Sequence, residues 1–173
     1  MQLSLQRLSE QLPQELRSLY TLHGDEALLL QEAADAIRAT ARQQGFLERH
    51  VFIVAGAHFD WGEVESATSA MSLFADKQFI DIRIPSGKPG KDGSEALQRI
   101  AQACVGNDGV LVLLSLPRLD KTAKSSGWFT ALDAHGVSVQ IEPIERAALP
   151  AWIAQRLALQ QQRVRAGEEG QRS

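Results

Sequence analysis

The chain has 173 residues, 44% of them hydrophobic and 23% charged, which excludes disorder, collagen and fibres and suits a globular domain that buries its own core. Eighteen basic against 21 acidic side chains leave a net charge of −3, so no whole-chain basic field draws in nucleic acid. One cysteine, Cys104, excludes an internal disulfide framework, and apolar runs as short as Val110–Leu114 exclude a membrane span of about 20 residues.

Leu3, Leu5, Leu8 and Leu12 fall on one side of a helical wheel that Pro13 stops. Leu19–Leu22 reads as a first strand, closed by Gly24. Asp25 is placed to cap a helix with Ala27, Leu28, Ala34 and Ile37 inward, ending near Gly45. Val51–Val54, free of polar residues, reads as a second strand buried on both faces. A helix follows from Trp61 to about Ala70. The period-two alternation of Phe79–Ile84 predicts a third strand with one wetter face or a place nearer an edge. Ser86–Gly93 reads as a flexible loop, after which Ser94 caps a helix running to Cys104. Val110–Leu114 is a fourth strand, Thr122–Ala134 a further amphipathic stretch and Val137–Ile141 a fifth strand. Pro143 breaks this pattern, Pro150 begins another helix, and the text is polar beyond Gln160.

Strands alternating with helices require crossover connections, hence a mostly parallel sheet with helices on both faces. The prediction is an α/β three-layer sandwich around five strands. Such sheets bind ligands beyond the carboxyl ends of their strands. After the first strand, a phosphate cradle needs several glycines, a lysine and a hydroxyl. The chain offers His23-Gly24-Asp25-Glu26, with one glycine and two carboxylates. After the fourth strand, Ser115-Leu116-Pro117-Arg118 supplies no carboxylate for magnesium. Gly87–Lys91 is glycine-rich and basic, but it follows the third strand and reads as a solvated hinge.

No other catalytic pattern is present. His23, His50, His58 and His135 lack metal-ligand spacing and read as exposed loop residues or local hydrogen-bond partners. Cys104 reads as core, and Asp25 with Glu26 as first-turn carboxylates. Neither metal nor cofactor is expected. A nucleotide-dependent enzyme or switch is the alternative by architecture alone. A direct DNA binder would need Lys88, Lys91, Lys121 and Lys124 to meet in space.

The segment with a positive signal is Ala70-Met71-Ser72-Leu73-Phe74. On a helix Leu73 and Phe74 point about 100° apart, whereas in a loop they project together as one apolar knob. Beside flexible Met71, that knob suits a pocket on another protein. The residues alone leave open whether it does so or caps this protein's own core.

In order along the chain stand Leu22–Glu32, Ala70–Ala75, Trp128–Leu132 and Leu149–Ile153, and together they resemble the delta subunit of the bacterial DNA polymerase III clamp loader. The resemblance implies a RecA-like, degenerate AAA+ (P-loop NTPase) core over residues 1–142 that lacks a nucleotide site. It implies the start of a helical lid domain over residues 143–173, cut short relative to the family. It further implies that Met71, Ser72, Leu73 and Phe74 bind the sliding clamp (the beta subunit), and that the full-length subunit meets delta-prime and gamma/tau. Primer–template DNA would be reached through the assembled loader, in the cytoplasm, with no chemistry performed by this chain.

Overall fold

Each of the first five strands is followed by a helix, and the alternation closes into one parallel sheet. The computed structural model describes residues 1–55, 59–69 and 77–141. Contacts divide the chain into two units, Met1–Glu142 and Pro143–Ser173, and all the described residues belong to the first. Its elements are β1 (Gln2–Leu3), α1 (Leu5–Gln11), β2 (Leu19–Gly24), α2 (Ala27–Gln43), β3 (Glu48–Ile53), α3 (Trp61–Ser69), β4 (Gln78–Arg83), α4 (Gly90–Ala103), β5 (Val110–Leu116), α5 (Lys121–Lys124), α6 (Gly127–His135) and β6 (Val137–Ile141).

The strand order is β1-β6-β2-β5-β4-β3, with every neighbouring pair parallel. Alternation along the strands sorts the side chains onto two faces. Ile80, Ile82, Val112 and Leu114 share one core with Val64 of α3, Leu97 and Ile100 of α4, and Phe129 and Leu132 of α6. The intervening residues, among them Leu111 and Leu113, face α2, which buries Leu29, Ala33, Ala34, Ile37 and Ala41. The expected α/β three-layer sandwich is therefore present, with six strands rather than five.

The sixth strand is β1, which the leucine spacing assigns to a helix. Ser4 separates the two conformations: its extended backbone ends the strand, and its hydroxyl accepts from the Arg7 amide at 3.2 Å to cap α1. Two strand environments are exchanged relative to the sequence reading. β3 is the sheet edge and is largely exposed, because α2 lies over β2 and β5 and leaves Val51 and Ile53 uncovered. β4 is interior and buried. The polar position of its alternation, Asp81, is buried, with its Oδ2 held by arginines.

Three helix boundaries also differ. The residue before α2 is Glu26, which makes no side-chain cap bond, so Asp25 is not the cap; Ala27 and Leu28 are exposed, and Leu29 points inward instead. α4 starts at Gly90, four residues ahead of Ser94, so much of the expected loop is helical. Thr122–Ala134 is two helices, because Ser126 takes an extended backbone between α5 and α6.

Candidate functional site

The element leading to the candidate tip is α3. Asp60 Oδ1 accepts from the Gly62 amide at 2.9 Å and fixes its first turn. Trp61 and Val64 are buried, and each such side chain contributes about 1.5–3 kcal/mol of transfer free energy. The Trp61 ring meets Phe59 edge-on at 5.1 Å, and Phe59 meets Phe52 at 6.5 Å. Arg99 of α4 donates to Glu65 at 2.8 Å, while the buried Thr68 hydroxyl donates to the Val64 carbonyl at 2.8 Å. Gly93 of α4 lies against Trp61 so closely that a Cβ there would stand 2.7 Å from the indole. α3 is thus pinned to α4 directly and to Phe52 of β3 through Phe59, which precedes it. Met71, Ser72, Leu73 and Phe74 lie outside the described residues, as do residues 143–173.

Beyond the carboxyl end of β2, the backbone makes sheet where a phosphate cradle would make a loop. Gly24 pairs with Ile141 of β6, and its φ of +156° brings it so near that a Cβ would come within 2.2 Å of the Ile141 carbonyl oxygen. This glycine serves strand packing. Asp25 and Glu26 then precede α2 and set negative charge where its dipole would favour an anion.

His23 departs from the expectation of an exposed histidine. It is buried on β2, edge-on to Phe129 at 5.2 Å, with no hydrogen-bond partner for Nδ1. Burial pushes its pKa down to about 4; Lys124 also lowers it, and Asp133 works the other way. His50 and His135 are exposed, and His58 lies outside the described residues. Cys104 is core as expected, its thiol pushed up to about 12 by burial.

Gly87 turns with a φ of +71°, and Lys88 and Arg118 line an open pocket of about 470 Å³ together with Asp120 and Trp128. Lys91 belongs to the first turn of α4 and Lys121 to α5, while Lys124 Nζ lies 3.5 Å from Gln140 Oε1. No group of three or more His, Cys, Asp or Glu positioned for a metal occurs among the described residues. No helix among them is long and apolar enough to cross a membrane.

The sequence reading missed the polar cluster on β4. Asp81 is fully buried, and its Oδ2 accepts from Arg38 Nη2 at 3.0 Å, Arg49 Nη2 at 3.1 Å and Arg83 Nη2 at 3.5 Å. One acid between Ile80 and Ile82, with Arg83 two residues on, was the available signal.

Residues 20–142 match the family described as DNA polymerase III, delta subunit. The chain belongs to that delta-subunit family. It is 36% identical over 151 residues to the DNA polymerase III subunit delta of Escherichia coli, covering 87% of this chain and 43% of that protein. The Haemophilus influenzae subunit delta is 27% identical over 158 residues, with coverage of 87% and 44%. The chain therefore spans less than half the length of these delta relatives. The Bacillus subtilis DNA clamp loader delta protein shares this α/β fold, with a TM-score of 0.61 at 18% identity over 82% of this chain and 43% of that one.

Proposed function

We propose that this chain is the clamp-binding portion of a clamp-loader subunit, acting by protein–protein contact alone. Leu73 and Phe74, with Met71 and Ser72 alongside, enter an apolar pocket on the ring-shaped sliding clamp. The observation that carries this reading is the position of Ala70–Ala75 directly after α3, in a chain of the delta-subunit family. A tip transmits force only if its base is rigid, and α3 is held by Trp61, Val64 and the Glu65–Arg99 pair.

Ring opening follows from differential affinity. The tip and its helix bind the open or strained clamp better than the closed one, and shift that balance by no more than the difference. The chain performs no chemistry in this reading: Gly24 is given to strand packing, and Asp25 and Glu26 would repel phosphate. Residues 143–173 begin a helical lid domain. In the full-length subunit, delta-prime and gamma/tau are the neighbours, and primer–template DNA is reached through the assembly in the cytoplasm.

The experiment is clamp release. Added without ATP to clamps closed on nicked circular DNA, the chain accelerates their loss in proportion to its occupancy. Tight binding without acceleration would contradict the ring-opening step. Calorimetric binding of ATP with magnesium would contradict the non-catalytic reading.

A further inference from the structure

The geometry points to β3 as a docking strand for an extended acidic segment of a partner protein, joined by strand addition and anchored by Arg49 and Arg83. β3 ends the sheet order, so its outer edge carries backbone N–H and C=O groups that β4 does not take up. Parallel sheets are ordinarily covered on both faces, and an open edge is a template for another strand. Here one face of β3 is bare. Val51 and Ile53 are 44% and 53% exposed, and Arg49 on the same face is 45% exposed.

The arginines are held in place before any partner arrives. Arg38, Arg49 and Arg83 converge on one buried oxygen, Oδ2 of Asp81, while Oδ1 has no hydrogen-bond partner. Arg38 spends its donors on buried Asp81 and on exposed Asp35 of its own helix. Arg49 and Arg83 each give a single Nη2 to Asp81, and both side chains stay more than two-fifths exposed. Their remaining N–H groups form a pre-oriented fork for carboxylates. Within this cluster three guanidinium charges face two carboxylates, Asp35 and Asp81. Glu48 at the start of β3 stands next to Arg49 in sequence, where side chains alternate between the faces of a strand, so the face bearing Arg49 and Arg83 keeps an excess of positive charge.

Charge complementarity selects the occupant. A second copy paired edge to edge would bring two such arginine clusters to one seam, Arg49 on the edge strand itself and Arg83 one strand behind it, and like charges gathered across such a pair are destabilising. A nucleic-acid strand would satisfy the arginines but gain nothing from Val51 and Ile53 or from the backbone edge. An extended peptide uses all three: main-chain bonds to β3, carboxylates on the guanidinium groups and aliphatic side chains on Val51 and Ile53.

The probe is a fluorescein-labelled peptide, Val-Thr-Glu-Thr-Glu-Thr-Val, titrated against the full 173-residue chain by anisotropy. Saturable binding is expected, weakened about tenfold or more by Arg49→Gln with Arg83→Gln, by Val51→Asp, and by glutamine in place of the peptide glutamates. Amide resonances of residues 48–53 should shift and gain protection from exchange. Circular dichroism establishes that each variant is folded, and Val51→Asp keeps the arginines, so one misfolded variant does not void the test. Absence of saturable binding, equal affinity for the glutamine peptide, or binding unchanged in folded variants would overturn the proposal. So would displacement of the peptide by a thymidine oligonucleotide, which assigns the patch to nucleic acid, or by self-association, which assigns it to a second copy.

Discussion

Gly93 and Trp61 hold α4 and α3 in direct contact, with the indole occupying the space that any side chain at residue 93 would need. A Cβ there would also stand 2.8 Å from Pro89 Cβ, so neither neighbour can yield without moving a helix end. Gly93→Ala is therefore expected to destabilise the fold by about 1–3 kcal/mol through overpacking, despite alanine's higher helix propensity. Urea unfolding measures the loss, and tryptophan emission reports the displaced indole. Equal or greater stability would show that the contact relaxes freely.

Asp81 sets a second expectation. Replacing it by asparagine keeps the shape but leaves Arg38, Arg49 and Arg83 around a neutral group. Removing one partner from a buried ion cluster costs about 3–5 kcal/mol, and here about 2–3, because Arg49 and Arg83 are half-exposed and regain water. Chemical denaturation of Asp81→Asn at neutral pH checks this, and a change within error would make the cluster ornamental.

His23 makes stability depend on pH in a known direction. Its folded pKa of about 4 lies below the ordinary 6.5, so the folded state resists protonation. The contribution is complete above about pH 6.5 and is lost as pH falls from there toward 4, at up to about 1.4 kcal/mol per pH unit. His23→Phe is expected to flatten that part of the profile, measured by urea midpoints between pH 4 and pH 8. An unchanged slope in the variant would move the effect to other groups.

Much of this architecture is legible in the residues, because apolar runs alternating with amphipathic stretches admit few arrangements other than a helix-covered parallel sheet. Placement within the sheet was not. Val51–Val54 looks like an interior strand and Phe79–Ile84 like a wetter one, yet the order of strands reverses them. Strand order is a long-range property, and a buried Asp81 neutralised by arginines from α2 and β3 is indistinguishable in one dimension from a solvated acid. Gly93 reads as loop for a similar reason, since its requirement comes from Trp61, thirty-two positions away in sequence. At the candidate site, the adjacency of Leu73 and Phe74 and the family pattern around them are legible in the sequence, and those residues lie outside the described ones.

The most direct measurement is a surface-plasmon titration of the sliding clamp of the same organism with the wild-type chain and with Leu73→Ala, Phe74→Ala. The account predicts saturable binding by the wild type, loss of at least about 3 kcal/mol of affinity in the variant, and an unchanged melting temperature. Retained clamp affinity, or a melting temperature lowered by several degrees, would place the two side chains in this protein's own core and contradict it.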